Sequence, residues 1–68
     1  MRINLKNARK QKGMTQQQVA DYIPMDVGYF KKIEYGERLG SIQMWDKFED
    51  LFNINQRVLR VNVPEDNP

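Results

Sequence analysis

Residues 15–36 read TQQQVADYIPMDVGYFKKIEYG, and this stretch decides the fold because it encodes two short helices joined at a turn. Thr15 stands where its hydroxyl caps the first helix, and Gln18, three residues on, can reach back to the Thr15 amide in a capping box. Met14 before the cap and Val19 after it occupy the positions of a hydrophobic staple. Val19, Ala20 and Ile23 then form an apolar stripe one helical face wide. Pro24 ends this helix, since a proline pushes the residue before it out of the α region. Asp26 caps a second helix, in which Phe30 and Ile33 face inward while Val27, Gly28, Lys31, Lys32 and Tyr35 share the opposite side. Gly36 supplies the left-handed residue that closes it.

Two helices, a turn of a few residues and an outward polar face on the second make a helix-turn-helix. Gln16, Ala20, Phe30, Ile33, Glu34, Gly36 and Arg38 fall at the spacing of the TQ-xxx-A … I-xx-IE-x-G-x-R pattern. From roughly Leu5 to Ile54 the chain therefore resembles the phage repressor and Cro-like (xenobiotic-response-element type) helix-turn-helix family. It departs from that pattern twice. The family usually has glycine where Pro24 stands, and a fixed negative φ requires a different path through the turn. Phe30 replaces a smaller aliphatic residue, so the space beneath the second helix must be wider or differently filled.

Outward from this unit, Asn4 is expected to cap a first helix running to about Lys12, with Leu5 and Ala8 inward and Gly13 closing it. Residues 1–4 also admit a short extended start. Residues 37–40 read as a loop, and Ser41 caps a fourth helix carrying Ile42, Trp45, Phe48, Leu51 and Phe52. Trp45 reads as core rather than as a base-stacking residue, because its neighbours at helical spacing are also apolar. Residues 53–55 break that helix. Beyond them, either Asn55 caps a short fifth helix through Val58 and Leu59, or residues 57–63 form a strand of imperfect alternation. The expected fold is all-α: a four- to five-helix bundle containing a helix-turn-helix, with the short C-terminal strand as the open alternative. Residues 1–63 form one domain and 64–68, PEDNP, a flexible tail.

Sixty-eight residues supply one small core of modest stability. Cysteine and histidine are both absent, which removes disulfides, thiol nucleophiles, His-dependent dyads and zinc sites. A paired-carboxylate pocket is not expected in so small a domain, so no enzymatic activity, metal or cofactor is expected. With no basic-then-apolar leader and no apolar run of about eighteen residues, the expected location is cytoplasmic, with no membrane partner. The net charge of +2 decides little, but its distribution says more. Residues 1–12 carry Arg2, Lys6, Arg9, Lys10 and Lys12 and no acid, whereas residues 36–50 carry two bases against four acids. The positive field is thus polarised toward the first helix and the Lys31, Lys32 edge, which would suit a phosphate backbone, although charge alone leaves solvated helix faces equally open.

The resemblance also implies roles for particular residues. Helix 2 would cross the DNA backbone while the N-terminal part of helix 3 enters the major groove. The base contacts are then Val27, which can pack on a thymine methyl, Lys32, which can donate to guanine O6 and N7, and Gly28, which permits close approach of the backbone. Gln16, Tyr29, Lys31 and Arg38 become the phosphate contacts. Glu34 lies on the inward side, where a carboxylate needs a partner, and Arg9 holds the position that pairs with this glutamate in some members of the family. The implied partner is a double-stranded DNA operator and the implied function a small dimeric repressor of phage or mobile-element type, with activation open to the same module. The alternative is an antitoxin-type interaction protein that binds a partner protein as well as DNA. One recognition helix reads too few base pairs to find a site alone, so a homodimer is expected. Ile54 and Leu59 are expected to close the monomer core, leaving Val61 and Val63 for the two-fold contact, as a strand pairing with its mate or with the N-terminal segment.

Overall fold

A computed structural model describes residues 1–64, which form five helices and no strand: α1 (Ile3–Gln11), α2 (Gln16–Tyr22), α3 (Val27–Tyr35), α4 (Ile42–Phe52) and α5 (Gln56–Leu59). Of the tail assigned to residues 64–68, only Pro64 lies within the described residues, and it is exposed.

Local chemistry sets most of the helix ends. Thr15 and Gln18 form the full capping box at α2, with Gln18 N donating to Thr15 Oγ1 and Thr15 N to Gln18 Oε1. Asp26, Ser41 and Asn55 each accept from a backbone amide at the start of α3, α4 and α5. Gly36 and Asn53, both left-handed, close α3 and α4.

Two ends differ from the sequence expectation. Asn4 does not cap α1. The helix begins two residues earlier, because the Arg2 amide is already bonded to Glu34 O at 2.8 Å and the Arg2 carbonyl accepts from Lys6 N at 3.1 Å. Asn4 instead lies in the first turn and donates Nδ2 to Val58 O at 3.1 Å. At the end of α2, Ile23 keeps helical angles, φ −61° and ψ −43°, with its amide on Val19 O. The helix stops one residue later, where Pro24 has no N–H to continue the ladder. The Ile23–Pro24 peptide bond is cis, and Met25 N closes the turn on Ala20 O.

One core joins all five helices. Leu5 and Ala8 from α1, Val19 and Ala20 from α2, Phe30 and Ile33 from α3, five residues of α4 and Leu59 of α5 are buried together, along with Ile23. The space beneath α3 is filled by aromatic rings. Phe30 lies 5.7 Å from Phe48, which meets Trp45 edge-on at 5.1 Å and Phe52 at 6.4 Å. Trp45 is a core residue, its indole Nε1 donating to Leu39 O. Ile42 is not: it remains 72% exposed. The buried arc of α4 runs through Met44, Trp45, Phe48, Leu51 and Phe52, and Ile42 stands about a third of a turn from the centre of that arc.

The strand alternative for residues 57–63 fails as well. Asn55 caps α5, Leu59 enters the core, and only four described residues follow Arg60, the last of them a proline with no N–H to pair. What remains of strand-like pairing is one reciprocal exchange, in which Val63 N donates to Met1 O and Met1 N to Val63 O.

The contrast between the two faces of α4 is measurable. Phe48→Ala should cost about 3–5 kcal/mol in urea unfolding, because it empties the centre of the aromatic cluster. Ile42→Ala should stay within about 0.5 kcal/mol of the parent.

Candidate nucleic-acid interface

The inner side of α3 carries a buried carboxylate. Glu34 is 3% exposed, and its two oxygens are taken by two different helices. Arg9 of α1 donates Nε to Oε1 at 2.9 Å, and Gln16 of α2 donates Nε2 to Oε2 at 2.6 Å. Arg9 also donates Nη1 to Met14 O at 3.0 Å, so the same guanidinium holds the α1–α2 connection. Gln16 as a partner of Glu34 was not foreseen from the sequence. Nothing in a first-turn glutamine signals it, since the contact depends on how α2 lies across α3. One N–H of the Gln16 amide is thereby committed inside the protein, and the other remains for an external acceptor.

The C-terminal end of α3 is held by a second charged group that the sequence reading placed on the surface. Arg2 is 4% exposed. It donates Nη1 to Ile33 O at 2.6 Å and to Arg38 O at 2.8 Å, and Nε to Arg60 O at 3.1 Å. Its guanidinium carbon lies 5.3 Å from the centre of the Trp45 ring. Ile33 O, in the last turn of α3, also accepts from Gly36 N, and a cation placed at a helix C-terminus is favoured by the helix dipole as well as by the hydrogen bonds. Burial lowers the Arg2 pKa from its ordinary value, and the charge of Arg60 lowers it further. Of the five bases in residues 1–12, Arg2 and Arg9 are therefore internal. Lys6, Lys10 and Lys12 are left to the surface field.

With its inner face and C-terminal end committed, α3 turns one side to solvent. Gly28, Lys31, Lys32 and Tyr35 lie opposite Phe30, Ile33 and Glu34, with Val27 and Tyr29 at the two borders. Among the described residues neither Lys31 nor Lys32 has an ion-pair partner. Val27 is less available than a groove-facing residue would be, because it is half-buried and packs partly against the core. Tyr29 is at the edge of exposure, and its amide is the donor to the Asp26 cap. A Cβ on Gly28 would come within 2.9 Å of Asp26 Oδ2, the oxygen that caps α3, so a side chain here crowds the cap although it meets nothing of the core. Arg38 is exposed on the loop after α3 and donates Nη1 to the neighbouring Glu37 carbonyl. Val61 and Val63 are 47% and 44% exposed; Val63 exchanges backbone bonds with Met1, whereas the Val61 amide donates to Val58 O.

A family model described as helix-turn-helix matches residues 5–55, most of the chain. No curated protein and no solved structure matches it significantly.

The Glu34 cluster predicts a specific cost. Glu34→Ala leaves the Arg9 guanidinium buried without its carboxylate and should destabilise by about 3 kcal/mol in chemical unfolding. Removing both partners, Arg9→Ala with Glu34→Ala, should cost less than the sum of the two single losses.

Proposed function

The chain belongs to the Cro/C1-type helix-turn-helix family of DNA-binding regulators, and from that premise we propose that it is a sequence-specific repressor docking on its operator as a symmetric homodimer. The observation that carries this reading is the exposed side of α3. It bears Lys31, Lys32 and Tyr35 with the half-buried Gly28 among them, while Phe30 and Ile33 are packed in the core and the Glu34 carboxylate is paired on the inner side.

In this reading α3 lies in the major groove with Gly28 at close approach and Lys32 donating to guanine O6 and N7. Val27 contributes through the part of its side chain that the core leaves open. Gln16, Tyr29, Lys31 and Arg38 meet phosphates on either side. For Gln16 the contact uses the N–H that Glu34 leaves free, so the phosphate would be met by an amide already fixed in place. Two copies are joined through Val61 and Val63, whose exposed side chains belong to a segment with little core of its own. The antitoxin-type reading has one observation in its favour. Leu39 and Ile42 are exposed apolar side chains beside the α3–α4 loop, and a partner protein would cover them. Purified chain that binds a duplex by itself argues for the repressor reading; binding that needs a second protein argues for the other.

Selection of tight-binding duplexes from a random pool by the purified chain should yield a two-fold symmetric consensus. On that duplex, log affinity should fall linearly with log salt, and alanine at Lys31 or Arg38 should weaken all duplexes about equally while reducing the salt slope by about one each. Lys32→Ala should instead lose roughly 1–3 kcal/mol on the consensus and relax preference at one base position. Affinity without salt dependence would remove DNA as the ligand. Sedimentation should show a dimer, and truncation after Arg60 should weaken both self-association and operator binding; a full-length chain that stays monomeric on the consensus duplex would defeat the dimeric form.

A further inference from the structure

The segment that follows α5 is fastened to the C-terminal end of α3 by two polar side chains, one buried, Arg2, and one exposed, Asn62. Asn62 donates Nδ2 to the carbonyl of Gly36, the residue that closes α3, at 3.2 Å. The approach is close enough that a Cβ on Gly36 would overlap the Asn62 side chain. Asn62 Oδ1 in turn accepts from Met1 N at 3.0 Å. Two residues earlier, Arg60 O accepts from Arg2 Nε, while Nη1 of the same guanidinium holds Ile33 O and Arg38 O. Arg2 and Asn62 thus bridge the last turn of α3 to residues 60–62, and Val61 and Val63, flanking Asn62, stay exposed.

We propose that Arg2 and Asn62 are positioning residues that fix the angle between the recognition helix and the segment joining two copies, and so set the half-site spacing that the dimer accepts. The proposal rests on the dimeric DNA-binding reading above. In a two-fold dimer any rotation of α3 against the interface occurs in both protomers, and it acts on two helices that must reach half-sites about 34 Å apart. Hydrophobic contact through Val61 and Val63 has no direction of its own. The orientation must come from directional bonds; the Met1–Val63 exchange ties the two chain ends to each other, and the side-chain bonds that carry residues 60–62 to the end of α3 are the carbonyl contacts of Arg2 and Asn62. Arg2 has a forked, planar donor set that meets three carbonyls at once, which a lysine could not reproduce. Asn62 is the better probe because it is exposed and can be changed without opening the core.

The test uses the full chain with Asn62→Ala and Asn62→Asp, the second removing the amide donor to Gly36 while keeping an acceptor toward Met1. Three quantities are measured: self-association by sedimentation, affinity for an isolated half-site, and affinity for the selected operator with base pairs added or removed between the half-sites. Both variants should leave self-association and half-site affinity unchanged. Affinity for the operator at its native spacing should fall roughly two- to tenfold, and the penalty for a one-base-pair change in spacing should shrink. A spacing profile identical to the parent's would overturn the proposal. So would a loss already complete on the isolated half-site, which would make Asn62 part of local recognition, or a loss of self-association, which would make it part of the contact itself. A parent chain that never dimerises on the operator overturns the dimeric reading together with this proposal, whereas a dimeric parent with unaltered variants overturns this proposal alone.

Discussion

The carboxylate of Glu34 is buried on α3, and a buried charge without partners would cost several kcal/mol, so α1 and α2 must both arrive where they can donate to it. That requirement links the first half of the chain. Arg9 brings α1 and the α1–α2 connection to one oxygen, and Gln16 brings the first turn of α2 to the other. The apolar core beneath is non-directional and would tolerate some sliding of α2 over α3. The hydrogen bonds to Glu34 would not, because each has a single geometry. The helix-turn-helix angle is thus held by a polar cluster as well as by packing.

A second buried charge does the corresponding work at the other end of α3. Among the described residues Arg2 has no carboxylate as a hydrogen-bond partner; three carbonyl dipoles and the face of Trp45 take its place. Two of those carbonyls, Ile33 and Arg38, lie on either side of Gly36, so the guanidinium grips the chain where α3 ends and its loop begins. The internal use of Arg2 and Arg9 also changes the electrostatic reading. Five bases crowd the first twelve residues of the sequence, yet two of them are taken inside, and among the described residues the ammonium groups of Lys6, Lys10 and Lys12 have no ion-pair partner. Lys31 and Lys32 therefore carry a larger share of the exposed positive charge near α3 than the sequence count indicates.

What was legible in the sequence is what depends on neighbours within a turn or two. The Thr15 box, the Asp26 and Ser41 caps, the closing glycine at 36 and the inward stripe of α3 are fixed by residues within a turn of one another, and they stand as read; at Asn55 the sequence left a capped helix and a strand both open, and the helix is what forms. Asn4 has equally good capping chemistry, but a tertiary bond from Arg2 N to Glu34 O starts the helix earlier and turns Asn4 toward Val58. Ile42 is apolar and helical, yet among the described residues no element covers its side of α4. Arg2 could not be told from the lysines near it, since its burial is produced by carbonyls thirty-one to fifty-eight residues away in the chain. At the site itself, the exposed side of α3 followed from helical period alone. The partial burial of Val27 and the double use of Gln16 did not, because both depend on how α2 and the core meet that helix.

These ties explain how so short an element can present a defined surface. α3 has nine residues, fewer than an isolated helix needs to persist in water, and it contains Gly28, which weakens it by roughly a further 1 kcal/mol relative to alanine. Its order is therefore supplied from outside: by the Asp26 cap at one end, by Phe30 against Phe48 and Glu34 against Arg9 and Gln16 along the inner side, and by Arg2 and Asn62 at the other end. None of these contacts uses the side chains of Lys31, Lys32 or Tyr35. Gln16 and Val27 serve both the fold and the proposed contact, but Lys31, Lys32 and Tyr35 are separate from what holds the helix, so substitutions at these three can alter what the helix reads without removing what keeps it folded.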